Sequence, residues 1–138
     1  MAPKKIPTKR EDRTAARLYW RKADEFLRAA VSNLTERRWN AAALSAIHGA
    51  ITAADAAIVL ARGLRSSSQR HEDLPDLLVT SLPESATVVP HLRRVLAKKH
   101  LVEYESRLFS ETEARDLVQH AERFLDWVRM RTGAPGIT

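Results

Sequence analysis

Between Trp39 and Arg62 the sequence reads WNAAALSAIHGAITAADAAIVLAR, and alanine recurs so densely that a helix built here can be approached closely from several sides. Alanine combines the highest helix propensity with almost no side-chain bulk or rotamer entropy to lose. Such a segment is expected to be the central helix of a bundle, with the remaining helices packed around it. Polar side chains interrupt its surface: His48 and Asp55 stand seven residues apart, two turns along nearly the same face, with Thr52 between them. Buried polar groups need partners, so these residues either hydrogen-bond and fix the register of neighbouring helices or support a functional groove. His48 and Asp55 are too far apart to share one metal ion and no H-E-x-x-H pattern occurs, so neither a metal site nor a cofactor is expected.

A chain of 138 residues is long enough for one hydrophobic core and too short to expect two. The absence of cysteine removes disulfides, iron–sulfur clusters, thiolate catalysis and cysteine-based zinc sites together. The longest nearly apolar run, residues 50–61, contains Thr52 and Asp55 and is shorter than a membrane span, and the basic, polar start lacks a signal-peptide pattern. A cytoplasmic protein with no membrane partner is the expectation. Residues 1–17 carry six basic side chains against Glu11 and Asp12, and so hold four of the net +6 charges. A tail of this kind can touch nucleic acid or acidic partners without specificity, or act only as a solubilising segment.

Taken in order, residues 1–13 are expected to be a flexible basic tail, residues 14–132 the folded domain, and residues 133–138 a flexible C-terminal tail. Thr14 is the expected cap of a first helix reaching about Arg37, whose apolar stripe runs through Trp20, Ala23, Leu27, Ala30, Val31 and Leu34. Trp39 opens the second helix and is expected to wedge between the two. Gly63 stops that helix in a left-handed cap position. Residues 64–73, with three consecutive serines, are expected to form a mobile polar loop whose Arg65, Arg70 and His71 suit anion contact. A short helix through Leu74, Leu77 and Leu78 follows, then a helix from about Glu84 or Pro90 to Leu108, which Pro90 either starts or kinks. Ser110 and Glu113 form a capping box for the last helix, which Gly133 and Pro135 end. The sum is an all-α, up-and-down bundle of four long helices plus one short one. No P-loop glycine pattern occurs, so the sequence supports no nucleotide hydrolase of that type.

Chemistry concentrates on the fourth long helix of this scheme. Arg93 and His100 are seven apart, Tyr104 lies four beyond His100 and Arg107 three beyond Tyr104, which gives a basic, hydrogen-bonding strip on one broad face. Arg94, six before the histidine, turns away from it on a straight helix. RNA can be cleaved by its own 2′-hydroxyl when a histidine moves a proton and an arginine steadies charge on the phosphate, with no metal required. No second general acid or base is visible in the sequence, although a partner subunit could bring another copy of the strip. The competing structural reading is that Lys98, Lys99, Glu103 and Glu105 form exposed ion-pair ladders and that Tyr104 covers a packed face. His91 and His120 stand isolated in sequence, with surface or helix-terminal roles expected.

Several runs together resemble the HEPN superfamily in its compact stand-alone bacterial form, over roughly residues 17–130. They are Lys22-Ala23-Asp24-Glu25-Phe26-Leu27, Trp39-Asn40-Ala41-Ala42 with Ala46-Ile47-His48 and Ala53-Ala54-Asp55-Ala56, His71-Glu72-Asp73, Lys98-Lys99-His100-Leu101-Val102-Glu103-Tyr104, and Glu113-Ala114 with Ala121-Glu122-Arg123. The resemblance implies a helical bundle that forms a homodimer, often with a cleft at the two-fold interface. Its relatives include metal-independent ribonucleases, toxins paired with antitoxins, and RNA-binding modules of defence systems. Their catalytic signature is an arginine followed after four to six residues by histidine, a spacing that both Arg93 and Arg94 satisfy with His100. The polar residue that usually follows the arginine is replaced by Val95 after Arg94 and by a second arginine after Arg93. Compact relatives also place a basic residue and a tyrosine here, matched by Lys98 or Lys99 and Tyr104. The leading expectation is a homodimer that binds RNA or another polyanion, with metal-independent ribonuclease activity centred on Arg93 or Arg94, His100 and Tyr104. Its alternatives are a non-enzymatic protein-interaction module and a bundle binding a nucleotide or small metabolite.

Overall fold

In the computed structural model, which describes residues 5–132, the alanine-rich stretch forms helix α2, Trp39–Arg62. Twelve of its residues are buried, eight of them alanine, because α1 (Ala16–Thr35), α3 (Asp73–Ser81), α4 (Val89–Leu96), α5 (Lys99–Tyr104) and α6 (Glu111–Thr132) all pack against it. Small side chains permit this crowding. At Gly49 the backbones of α1 and α2 approach closely enough that an added Cβ would sit in ordinary van der Waals contact with the Ala23 carbonyl oxygen and the Leu27 nitrogen, both at 3.5 Å. Larger side chains fill the space around this contact: Ile47 and Ile58 of α2, Leu78 of α3, Leu92 and Val95 of α4, and Leu117, Phe124 and Leu125 of α6 are fully buried. Burial of each contributes about 1.5–3 kcal/mol over leaving it exposed. Among the described residues α2 is the one helix long and apolar enough to cross a membrane, and most of it is buried inside the bundle.

The all-α bundle anticipated from the sequence is therefore what forms, with local corrections. Helix α1 does not start on a Thr14 cap. Asp12 accepts from the Thr14 N–H at 2.9 Å and its hydroxyl at 2.8 Å, closing a 3-10 turn (Arg13–Ala15) that feeds into Ala16. Both bonds end on Asp12 Oδ1, so the aspartate and not Thr14 is the capping acceptor. The tail is not wholly free either: β1 (Thr8–Arg10) pairs antiparallel with β2 (Leu64–Ser66), Thr8 facing Ser66 and Arg10 facing Leu64. Ile6 packs on the core, and the Glu11 N–H donates to the Gly63 carbonyl at 3.0 Å. This two-stranded ribbon was not foreseen, because three-residue strands carry too short an alternation to read.

Turn chemistry fixes the helix ends. Arg37 closes α1 at φ 60, and the Arg38 N–H reaches back to the Asn33 carbonyl at 2.8 Å, the 6→1 bond of a Schellman motif. Gly63 takes φ 64 after α2 as expected. Trp39 starts α2 half-buried, with the guanidinium of Arg37 5.8 Å and that of Arg115 of α6 5.7 Å from its ring. Ser110 and Glu113 make both bonds of the capping box, at 3.1 and 3.2 Å. The end of the final helix at Gly133 and Pro135 lies outside the described residues.

The helix expected from about Glu84 or Pro90 to Leu108 is the largest departure. Pro83 opens a 3-10 turn (Pro83–Thr87) and Pro90 sits in the first turn of α4. At residues 97–98 the α-helical pattern is interrupted by one tightened turn, since the Lys98 N–H bonds three residues back to Val95 rather than four. Past this turn α5 packs against α2, with Leu101 and Val102 on the core. Beyond Tyr104 the backbone is extended, so residues 105–110 are a connector rather than helix.

Candidate nucleotide-binding cavity at the α3–α4–α5 corner

A concavity lies where α4 gives way to α5. A cavity of about 530 Å³ opens between the loop preceding α3 and the α4–α5 corner, within the range of about 300–1,000 Å³ typical of small-ligand sites. Gln69, His71 and Glu72 line one wall, Arg93 and Leu96 the second, and Lys99, His100 and Tyr104 the third. His100 and Tyr104, four residues apart on α5, hold their rings 5.2 Å centre to centre, and Tyr104 is exposed. Together they present aromatic surface at the cavity mouth.

Charge in this cavity is organised in pairs. Arg93 donates to Asp76 of α3 at 2.8 Å, and Lys99 meets Glu103 at 2.8 Å. The ammonium of Lys99 holds the Glu103 carboxyl below the usual glutamate range. Arg70 and Glu72 also pair within the loop. Ser68 gives that loop its shape: its hydroxyl donates to Asp73 at 2.6 Å and accepts from the Arg70 N–H at 3.0 Å. The serine-rich segment is thus tied by hydrogen bonds where mobility was expected. Burial depresses the proton affinity of His71, and the Lys99 and His48 charges add to that effect while Glu103 opposes it.

Of the four residues on the strip, Arg93, His100 and Tyr104 line one cavity and Arg107 does not. Arg93 and His100 line the same cavity, but Arg94 points to α6 and donates to Asp116 at 3.1 Å. Arg107 lies in the connector, forms a fork with both Glu113 oxygens at 2.9 and 2.8 Å, and covers Phe109. Its guanidinium and the capping bonds hold the Glu113 carboxyl at about 2. Lys98, half-buried at the α4–α5 turn, and Arg65, bound to Glu11 at 3.3 Å beside the ribbon, do not line the cavity. Arg107 is off the strip because the helix ends at Tyr104 and the backbone is extended beyond it.

His48 and Asp55 do not form one polar face feature. Thr52 between them donates to the His48 carbonyl at 2.7 Å, a bond within its own helix. The His48 ring lies 5.6 Å from Phe26, on the side where its charge is felt by His71 and Glu103. Asp55 instead lies near Arg65, Glu11 and Tyr19, and burial pushes its carboxyl up to about 7. His91 and His120, taken as isolated, are in contact: their Nδ1 atoms are 2.8 Å apart, and His120 Nε2 is 3.4 Å from Asp116. Among the described residues no group of three or more His, Cys, Asp or Glu side chains is arranged to hold a metal ion.

Gln69, Glu72, Leu96 and Asp76 were missed as members or supports of the cavity. Only the His71-Glu72-Asp73 run gave a sequence signal for that wall, and nothing local pointed from it to α5.

Fold and site together define a compact all-α bundle with an alanine-rich central helix and a polar cavity at one corner. The HEPN domain model matches residues 16–131, nearly the whole described chain, and the protein belongs to the HEPN family. No curated protein sequence gives a significant match.

Proposed function

We propose that this HEPN protein binds single-stranded RNA by admitting one unpaired nucleotide into the α3–α4–α5 cavity, and that it cleaves the strand there without a metal. The observation that carries this reading is the convergence of Arg93, Lys99, His100 and Tyr104 on one cavity. Tyr104 and His100 offer stacking surface for a base, which is worth about 1–3 kcal/mol per base in single-strand binding. Arg93 and Lys99 supply the phosphate contacts. The Arg93–Asp76 pair is solvent-exposed, and such pairs contribute only about 0–1 kcal/mol, so a phosphate can displace that carboxylate at small cost. The Lys99–Glu103 pair is largely shielded and stays formed while Lys99 faces the phosphate. His100 is the proton-transfer group. Family membership supports a homodimer, and a toxin–antitoxin or defence setting is the biological context proposed with it.

Fluorescence anisotropy with a labelled single-stranded RNA tests the binding. Affinity should fall as salt rises, and Tyr104→Ala and Arg93→Ala should each weaken it by about tenfold, the equivalent of 1.4 kcal/mol. Equal affinity of all three proteins would remove the cavity from the interface. A protein-interaction module is the second reading, favoured by the carboxylate already paired with each cavity cation. Absence of RNA binding even at low salt, together with co-purification of one stoichiometric protein partner, would establish it instead.

A further inference from the structure

We infer that His71 is the second proton-transfer group of the cleavage reaction, so that a single chain supplies both halves of an acid–base pair with His100. This inference rests on the ribonuclease reading above and deepens it. The sequence shows only one histidine on the basic strip and leaves a partner subunit as the source of another. Folding changes that, because the loop before α3 carries His71 into the wall of the cavity that α5 lines with His100. The two imidazoles come from separate elements and border one space of about 530 Å³, large enough for a nucleotide.

The surroundings of His71 suit it to accept a proton. It faces Lys99 and Glu103 from α5 and His48 from α2, with Glu72 beside it in sequence and Arg93 across the cavity. Burial and the Lys99 ammonium keep its imidazole neutral near pH 7, opposed in part by the Glu103 carboxylate. In the proposed step neutral His71 takes the proton of a ribose 2′-hydroxyl as that oxygen bonds to the adjacent phosphorus. The bond from phosphorus to the 5′-oxygen breaks, and protonated His100 delivers its proton to that oxygen. The products are a 2′,3′-cyclic phosphate end and a 5′-hydroxyl end, with one proton moved from His100 to His71 and no change of oxidation state. Arg93 and Lys99 stand in the same cavity to balance the charge that develops on the phosphate oxygens.

Cleavage of a labelled single-stranded RNA in EDTA is measured for wild type, His71→Gln, His71→Ala and His100→Ala. Binding of the 2′-deoxy version of the same oligonucleotide, which lacks the nucleophile, is measured in parallel. Each substitution should slow cleavage by about 100-fold or more. His71→Gln, which keeps a polar side chain in the cavity wall, should still bind the deoxy strand, whereas His100→Ala also removes stacking surface and should bind it more weakly. Residual cleavage by His71→Gln should lose the acidic limb of the wild-type pH profile, a signature that loss of structure alone does not produce. Co-expressed, differently tagged His71→Ala and His100→Ala chains, purified as mixed dimers, should remain inactive. Wild-type rates in both His71 variants would overturn the inference. Recovery of activity in mixed dimers would also overturn it, because the pair would then be assembled across two chains. A wild type that binds the deoxy strand and cleaves no RNA would end the acid–base assignment and leave RNA binding standing; a wild type that binds neither strand would remove the functional reading itself.

Discussion

Replacing Asp55 by asparagine should stabilise the protein in a pH-dependent way. Asp55 is half-buried on α2, and Arg65, the cation it faces, is already bonded to Glu11. Burial raises its carboxyl from 3.8 to about 7. Each tenfold change in proton affinity is about 1.4 kcal/mol, which makes the full cost of ionising Asp55 in the folded state about 4 kcal/mol. The native state therefore holds a proton that the unfolded chain releases near pH 3.8. This contribution is fully present below that value and is lost as pH rises through about 7. Asparagine imitates the neutral carboxyl in shape and never ionises. Water entry reduces the gain, so D55N should exceed wild type by about 2–4 kcal/mol at pH 8.5 and by little at pH 4. Urea unfolding of both proteins across that range gives the difference directly, with other titrating groups cancelling. A gap independent of pH, or a destabilised D55N at pH 8.5, would refute the reasoning.

Glycine positions give a second test by thermal or urea unfolding. Gly49→Ala should stabilise by about 0.5–1 kcal/mol, since its Cβ meets neighbours at an ordinary 3.5 Å and helix propensity improves. Gly63→Ala should destabilise by about 1 kcal/mol or more, because the cap at φ 64 is strained for any side chain. His91 tests acid stability: burial, then the His120 and Arg123 charges, lower its proton affinity below the ordinary 6.5. The unfolded chain binds the proton first, so stability should fall as pH drops below about 6.5, and His91→Gln should flatten that limb in unfolding experiments. An unchanged limb would assign it to other groups.

What could be read from the sequence was local or periodic. The capping box needs only Ser110 and Glu113 at a spacing of three, and the stop at Gly63 needs one residue. The role of α2 was legible because its alanines state how closely neighbours can approach. The turn at residues 97–98 carries neither proline nor glycine; it is imposed by packing Leu101 and Val102 on the core, a tertiary demand with no local mark. The end of α5 at Tyr104, beyond which the backbone is extended, explains why Arg107 leaves the strip while Arg93 and His100 share one cavity. His91 meets His120, and Arg65 meets Glu11, across long stretches of chain that no spacing rule connects. His71 belongs to the same class: its residue type suggested anion contact, whereas its place opposite His100 depends on how the loop crosses the α4–α5 corner.

The central claim, that the α3–α4–α5 cavity receives single-stranded RNA, is tested most directly by titrating the isotopically labelled protein with the 2′-deoxy oligonucleotide and following backbone amide shifts by NMR. The account predicts saturable shifts concentrated in residues 69–76 and 93–104. Shifts confined to the basic N-terminal segment, or spread without saturation, would contradict it.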